Sequence, residues 1–435
     1  MRRPIGVASE EGDESMRVAM PYGSTHLILE VPDDRVAGIL VPAYPRDPAD
    51  PQAVEAALEN PVASPRLKDL VKGKRSVVVL SPDHTRAMPS RLTMPPLLRE
   101  IHRGNPQVEV TLLVATGLHR APTRQELEDR YGADVLDSVN VAVHDPDDQA
   151  SHTDLGTLPS GAPLRIDHRA LEANLLISEG LVEPHFYAGY SGGRKNVLPG
   201  IADRSTVYYN HSAGLIGHHL TAAGSLDGNL LTRDMDEAAE RARLAFILNV
   251  CTDNAKNVIG AVAGNPFQAH RAACEFLGRI CTMKATLSDI TVVTNGGYPL
   301  DQNLYQAVKG MYTASRTTRE GGVIVCLAEC RDGVGGENFL DLAASASSPK
   351  ELLDRITRTP AEETAMDQWE VHSLVQVLCR QQVILVSENI PPDVARAMHL
   401  HHASTVDEAM KKAEDLVGGD GSVTIIPDGV QVVVS

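Results

Sequence analysis

Side chains that could transfer protons or hold an anion are concentrated in four short segments of the chain. They are DHTR at residues 83–86, TGLHR at 116–120, EPHFYAGYSGGRK at 183–195 and NGGYPLDQNLYQAVKG at 295–310. Imidazole has an ordinary pKa of about 6.5, so His119 and His185 are candidates for a general base and a general acid near neutral pH. Taken singly, each histidine also fits a solvated or capping role. Their combination with Asp, Arg and Lys indicates a shared site.

The glycine-rich stretch before Lys195 invites comparison with a phosphate-binding loop. That loop requires G-x-x-x-x-G-K-[ST], but Gly189 and Gly192 do not frame this spacing, and Asn196 follows the lysine. The usual nucleotide loop is therefore excluded. The number of glycines instead predicts a close approach of the backbone to a ligand.

Strand and helix patterns that alternate along the chain must position these segments. Strands are predicted at residues 76–82, 108–116, 175–181, 289–297 and 382–388. Helical patterns such as NLYQAVKGMYTASR follow several of them, which is typical of βαβ units and a mostly parallel sheet. Ligands bind beyond the carboxyl ends of such strands, and each polar segment lies where a predicted strand ends.

The length of 435 residues exceeds one ordinary core. We expect an α/β protein with two α/β domains, mostly parallel sheets and an active-site cleft between them. The domains are predicted at residues 1–282 and 283–435. The last strand-like pieces, SVTIIP and VQVVV, could return to either sheet.

Composition limits the partners and the location. A formal net charge of −17 argues against nucleic acid, whose binding depends on cationic residues. No apolar run has the length of a membrane helix, and the acidic N-terminal stretch does not resemble a signal peptide, so neither a membrane partner nor secretion is expected. Six cysteines without a C-x-x-C pair fit reduced thiols, which favours a cytoplasmic protein.

Taken together, these motifs resemble the nickel-dependent lactate racemase family. DHTR, ATGLHR, EPHFYAGYSGGRK, the Asn-His of YYNHS and YQAVK occur in the order and approximate spacing of that family. The resemblance implies a racemase or epimerase that acts on a small 2-hydroxy acid. It also implies a nickel-pincer nucleotide, a nicotinic-acid-derived mononucleotide that holds nickel through two sulfurs and a ring carbon. Cofactor-synthesis proteins would then be needed for maturation.

The resemblance also implies a role for each site residue. Lys195 would carry the cofactor covalently, and His211 would be the nickel ligand. His119 and His185 would be the acid/base pair. The mononucleotide would be held by Asp83, His84, Thr85 and Arg86. The substrate would be bound by Arg86 and, from the second domain, by Tyr305, Gln306, Lys309 and Trp369.

In the implied reaction, one histidine takes the hydroxyl proton while hydride leaves C2, which gives a transient 2-oxo acid. Two histidines are required because the hydroxyl points to opposite sides in the two enantiomers. The residues leave the side chain of the acid open, since lactate, malate, aromatic and sugar acids share the reacting centre. Two alternatives also stay open: a two-domain protein that binds a small acid without turnover, and a zinc-dependent hydrolase or lyase. The chain lacks the H-E-x-x-H spacing that would favour the latter.

Overall fold

A computed structural model describes residues 7–8, 15–45 and 52–435. The strands, in chain order, are β1 (Val7–Ala8), β2 (Ser15–Tyr22), β3 (Thr25–Pro32), β4 (Val36–Ile39), β5 (Ser76–Pro82), β6 (Glu109–Ala115), β7 (Asn140–Val143), β8 (His152–Thr157), β9 (Pro163–Asp167), β10 (Leu175–Leu181), β11 (Pro184–His185), β12 (Gly189–Tyr190), β13 (Leu244–Thr252), β14 (Val258–Gly264), β15 (Thr282–Met283), β16 (Ser288–Thr294), β17 (Thr318–Leu327), β18 (Gln382–Val386), β19 (His401–Ala403), β20 (Val423–Ile426) and β21 (Val433–Val434).

The helices are α1 (Ala53–Glu59), α2 (Leu67–Leu70), α3 (Ser90–Gly104), α4 (Arg124–Tyr131), α5 (Ala133–Asp137), α6 (His168–Glu172), α7 (Arg204–Asn210), α8 (Ala213–Ile216), α9 (Leu230–Arg241), α10 (Gln268–Cys281), α11 (Leu304–Ser315), α12 (Glu337–Ala343), α13 (Pro349–Arg358), α14 (Gln368–Leu378), α15 (Pro392–Ala397) and α16 (Val406–Val417). Within the part of the chain that the structure describes, no helix combines the length and the apolar character needed to cross a membrane.

The first compact unit comprises Tyr44–His211 and His218–Ile280. Its main sheet has the strand order β14-β13-β10-β5-β6-β7, in which only β14 runs antiparallel to its neighbour. Every residue of β10 is buried, and β5 is buried beyond its first residue, as expected for central strands of a parallel sheet that is covered on both faces. Helices α1 to α5 contribute to the core on one face, and a 3-10 turn at Gly193–Asn196 packs against β5, β10 and β13.

The second unit comprises Met1–Ala43, Ser212–Gly217 and Cys281–Ser435. Its sheet, in the order β19-β18-β17-β16-β20-β4, is parallel throughout. Helices α11 to α14 contribute to one hydrophobic cluster on this sheet. The antiparallel strands β2 and β3, together with α16, contribute to another.

The structure confirms the expected fold class of two α/β units with mostly parallel sheets. Among the last strands, β20 lies between β16 and β4, and β21 pairs with β15. Both strands therefore belong to the second unit. The N-terminal strands of this unit were not anticipated, and the division into 1–282 and 283–435 remains a prediction.

Candidate active site

Three of the polar segments follow three neighbouring parallel strands of the first unit. Asp83 comes directly after β5, the turn that holds His119 follows β6, and His185 follows β10. Because β5 lies between β6 and β10, their carboxyl ends meet at one edge of the sheet. The amide of Gly117 also donates to the carbonyl of Gly200 at 2.9 Å, which joins the β6 turn to the turn after Lys195.

Asp83 and His119 form a hydrogen-bonded pair. Asp83 is 2% exposed, whereas half of the His119 side chain is exposed, and His119 Nδ1 lies 2.8 Å from Asp83 Oδ2. The other carboxylate oxygen accepts from the amide and the hydroxyl of Thr85 at 3.1 and 2.7 Å. Burial raises the pKa of Asp83, but the hydrogen bond and charge of His119, with Thr85 and Arg86, outweigh it and leave the pKa lowered. An ionised Asp83 accepts the proton of Nδ1, so the lone pair of neutral His119 is on Nε2.

The rest of the DHTR segment lies beside this pair. His84 is half-buried, and its Nδ1 is a buried atom with no hydrogen-bond partner among the described residues. Burial lowers the pKa of His84. Arg86 is half-buried, and the guanidinium of Arg130 donates to its backbone carbonyl. The segment therefore presents an imidazole and a guanidinium that could contact an anionic group.

The neutral ring of His185 is held in the opposite tautomer to that of His119. It lies in a short hairpin of β11 and β12, and its Nδ1 accepts hydrogen bonds from the amides of Tyr187 and Ala188, both at 3.2 Å. A ring nitrogen that accepts two N–H groups is unprotonated. The neutral ring of His185 therefore has its proton on Nε2.

Lys195 lies on a 3-10 turn whose other residues are buried. Arg194 is 1% exposed and pairs with Asp236 at 2.8 Å, and Asn196 donates to the backbone carbonyl of Glu179 at 2.7 Å. The half-buried Lys195 is thus placed by neighbours that anchor the turn to the sheet.

The glycines of this segment have a packing role that the sequence did not reveal. A Cβ at Gly192 would lie 2.7 Å from the ring of His270, and one at Gly193 would lie 3.0 Å from Ile247. A Cβ at Gly180 in β10 would lie 2.4 Å from the amide of Gly193. The glycines therefore allow the lysine turn to approach β10, β13 and α10, a reason that needs no ligand.

His211 caps the C-terminus of α7, close to Lys195 and Tyr187. Its Nδ1 donates to the carbonyl of Val207 at 3.0 Å, and the ring of Tyr187 lies edge-on at 6.3 Å between centroids. Burial, together with the charge of Lys195, lowers the pKa of His211 to about 4. At neutral pH the ring is therefore uncharged with its lone pair on Nε2, which is the form that binds a metal.

These groups fit the implied cofactor by their donor chemistry. They offer an amine at Lys195, a neutral imidazole at His211 and a buried, unpartnered ring nitrogen at His84. Among the described residues, no group of three or more His, Cys, Asp or Glu side chains could hold a metal ion.

The remaining candidate residues lie in the second unit. Tyr305, Gln306 and Lys309 are on α11, where the sequence predicted a helix, and Lys309 Nζ donates to the side chain of Gln306. Trp369, in the first turn of α14, is 7% exposed, and its indole N–H donates to the hydroxyl of Tyr305 at 2.9 Å. The structure thus brings together the four predicted substrate residues of this unit.

Sequence reasoning missed two features of these sites. It assigned Asp83 to the cofactor and did not pair it with His119, although both residues end neighbouring strands, which was the available signal. It also missed Glu370, the buried carboxylate beside Trp369. No sequence pattern distinguishes that glutamate from a surface residue of an amphipathic helix.

Comparison with known proteins gives matches along nearly the whole chain. The family models for the lactate racemase N-terminal domain and the lactate racemase C-terminal domain match residues 22–224 and 283–434. The lactate racemases of Thermoanaerobacterium thermosaccharolyticum and Lactiplantibacillus plantarum are 41% and 43% identical to it over 96% of this chain and 99% of each relative.

Solved structures agree with these matches. The lactate racemase apoprotein of T. thermosaccharolyticum has a TM-score of 0.94 at 41% identity, over 96% of this chain and 100% of that chain. A Thermotoga maritima protein has a TM-score of 0.65 at 21% identity, over 89% of this chain and all of its own, and shows similarity of fold alone.

Proposed function

The chain belongs to the lactate racemase family, and from that premise we propose that it inverts C2 of a 2-hydroxy acid, with lactate as the first substrate to test. The observation that carries the proposal is the 2.8 Å pair between His119 and Asp83 at the sheet edge shared with His185 and Lys195. It supplies a base at the edge where a parallel sheet binds its ligands.

The cofactor of this proposal is a nickel-pincer nucleotide attached to Lys195. His211 would bind the nickel, and the segment from Asp83 to Arg86 would hold the mononucleotide. When bound, the cofactor supplies a hydride acceptor and donor for C2. Maturation would require cofactor-synthesis proteins. A cytoplasmic location is part of the same proposal, supported by six cysteines that form no disulfide in the described residues, five of them buried.

In this proposal His119 is the general base for the hydroxyl proton of the substrate. Its Nε2 accepts the hydroxyl proton of one enantiomer, and the ring becomes a cation that the buried carboxylate of Asp83 stabilises through Nδ1–H. Asp83 also fixes the orientation of the ring, because its second oxygen is held by Thr85. Asp83 is therefore a positioning residue for His119 as well as part of the cofactor segment.

In this proposal His185 exchanges the hydroxyl proton of the other enantiomer, and its neutral ring begins with the proton on the other nitrogen than in His119. Its Nε2 carries a proton in the neutral ring, because Nδ1 accepts from the amides of Tyr187 and Ala188. To accept the hydroxyl proton at Nε2, the ring must first carry its own proton on Nδ1 instead, so Nδ1 must exchange these two amide donors for an acceptor. The hairpin at residues 184–190 must therefore adjust during each catalytic cycle.

Binding of the substrate carboxylate is assigned to cations in an otherwise acidic protein. Arg86 and Lys309 are each half-buried, so their charges are less screened than at an open surface. Gln306 accepts a hydrogen bond from Lys309, which orients the amine. Tyr305 and Trp369, joined by their hydrogen bond, would contact the rest of the substrate.

The test uses protein that is produced together with the cofactor-synthesis proteins. Each enantiomer of lactate, malate, an aromatic 2-hydroxy acid and a sugar acid is incubated with it, and chiral separation follows the product. We expect inversion of at least one acid and its loss in His119→Ala. Binding of the acids without inversion would contradict the proposal and support the small-acid binding protein.

A further inference from the structure

The first turns of α14 bury three polar atoms that have no hydrogen-bond partner among the residues that the structure describes. Gln368, Glu370 and His372 are 5%, 1% and 3% exposed. Gln368 Nε2, Glu370 Oε1 and His372 Nδ1 have no hydrogen-bond partner among the described residues. Buried polar atoms are nearly always paired, since an unpaired one costs about 1–3 kcal/mol. Glu370 is the carboxylate among the three and directly follows Trp369 on α14, so its unpaired oxygen makes it a candidate for a functional role.

Glu179 is a buried carboxylate of the same protein whose two oxygens are both hydrogen-bonded. Glu179, which is 0% exposed, accepts hydrogen bonds from the hydroxyls of Ser81 and Ser90 at 2.6 Å and of Thr93 at 2.5 Å. Both of its oxygens are satisfied. Glu370 has no comparable set of donors at Oε1, a feature it shares with one oxygen each of Glu100 and Asp301, but of these three only Glu370 lies next to a candidate substrate residue, Trp369.

Lys309 is the cation whose charge favours the ionised form of Glu370. Burial raises the pKa of Glu370 to about 8, against the opposing charge of Lys309 and with a smaller increase from Asp367. The pKa of Tyr305 is also raised, first by burial and then by Glu370 and Asp367. Helices α11 and α14 pack together, and the hydrogen bond from Trp369 to Tyr305 joins the residue before Glu370 to the residue one helical turn before Lys309.

Other elements that pack on α14 bring no competing charge to Glu370. Helix α8 and strand β18 contain no charged residue. The charged residues of α12 and α13 whose side chains are described are all exposed: Asp341, Lys350, Glu351, Asp354, Arg355 and Arg358. On α14 itself, burial lowers the pKa of His372 to about 4, so this ring is uncharged at neutral pH. The charges that decide the state of Glu370 are therefore Lys309 and Asp367.

We propose that Glu370 is a positioning residue that acts as the exchangeable counter-charge of Lys309, so that binding of a substrate carboxylate at Lys309 is coupled to protonation of Glu370. This inference rests on the proposed function, in which Lys309 binds the carboxylate of a 2-hydroxy acid. One lysine cannot neutralise two buried carboxylates at once, and the like charges disfavour each other. The carboxylate that can be neutralised by a proton is that of Glu370.

The pairing of Glu370 with Lys309 determines the direction in which the affinity for the acid changes with pH. Below about pH 8 Glu370 is protonated, and the charge of Lys309 is directed to the substrate. Above that pH the ionised Glu370 competes with the substrate carboxylate, so the affinity for the acid falls. For a single linked proton, KM rises about tenfold per pH unit on the alkaline side.

The first test compares holoenzyme with and without the titrating group. We expect the KM of the wild-type protein for its 2-hydroxy acid to rise above pH 8, and the KM of Glu370→Gln to stay level, with kcat little changed. Glu408→Gln is the matched control, because it removes a carboxylate of the same unit that is exposed and paired with Lys412. This control should keep the wild-type profile. Parallel KM profiles for wild type and Glu370→Gln would overturn the proposal.

A second measurement needs no turnover, and the band that is absent in Glu370→Gln identifies the carboxyl group of Glu370. Infrared difference spectra of the full chain follow the carbonyl stretch of protonated carboxyl groups as the pH rises. If Lys309 is the counter-charge, Lys309→Gln removes the group that lowers the pKa of Glu370, and a protonated band should persist to higher pH than in wild type. Unchanged titration in Lys309→Gln would refute the pairing. If the band shifts as expected in Lys309→Gln but the wild-type holoenzyme inverts no acid, the pairing stands and the proposed function fails.

Discussion

At the scale of single residues, the two candidate acid/base histidines differ in which ring nitrogen carries the proton. Asp83 accepts from Nδ1 of His119, whereas two backbone amides donate to Nδ1 of His185. We expect nitrogen chemical shifts of the neutral rings to show His119 protonated at Nδ1 and His185 at Nε2. Matching tautomers in the two rings would contradict this assignment.

Replacing the carboxylate that supports His119 should reduce turnover more than substrate binding. In Asp83→Asn the neutral amide no longer stabilises the imidazolium, so we expect kcat to fall by about 10²- to 10⁴-fold. Thr85→Val is the control, because it removes one donor to Asp83 and retains the charge. It should cost far less. An Asp83→Asn protein with normal kcat would show that Asp83 serves the cofactor segment alone.

The cofactor assignments at Lys195 and His211 have readouts other than activity. Intact-mass analysis of protein made with the cofactor-synthesis proteins should show an adduct that Lys195→Ala lacks. His211→Ala should lower the nickel content without altering the circular dichroism spectrum, since this half-buried cap contributes little to the core. Unmodified Lys195 in active protein would exclude the covalent attachment, and unchanged nickel content in His211→Ala would exclude the ligand role.

At the scale of elements, the position of Lys195 depends on how closely its 3-10 turn approaches β10. Gly180→Ala would place a methyl group 2.4 Å from the amide of Gly193, and backbone cannot yield as a flexible side chain can. We expect a destabilisation of about 1–3 kcal/mol and a reduced yield of the Lys195 adduct. Gly214→Ala is the control, because an added Cβ at Gly214 meets no atom within 4 Å. Equal adduct yields in both variants would mean that this contact does not position the lysine.

The sequence predicted elements better than it predicted their interactions. The run at 76–82 coincides with β5 and that at 175–181 with β10, because strands buried on both faces read as continuous apolar runs. The same reading placed His119 and Asp83 at strand ends but could not pair them, since a hydrogen bond depends on side-chain rotamers. It missed β4, a four-residue strand whose partner β20 lies near the other end of the chain.

At the scale of the whole molecule, the second unit combines the strands β2 to β4 with the distant strands β16 to β21. The apolar side chains of β2 and β3 lie in one cluster with those of β16, β17 and β18, although more than 250 residues separate them in sequence. Four of them, Val18, Met20, Leu29 and Val31, are at most 3% exposed. The N-terminal hairpin is therefore part of the core of this unit.

That integration can be tested with the only tryptophan of the chain, Trp369, which lies in the second unit on α14. Leu29→Ala empties a fully buried position on β3, and we expect its denaturant midpoint, followed by Trp369 fluorescence, to fall by the equivalent of about 2–5 kcal/mol. Ile28→Ala is a matched control, because it shortens the neighbouring aliphatic side chain, which is 48% exposed. This variant should unfold close to the wild-type midpoint. If the hairpin were an appendage with its own stability, Leu29→Ala would loosen β2 and β3 and leave the Trp369 transition where it was. A shared shift instead requires that β3 and α14, on opposite faces of one parallel sheet, unfold together.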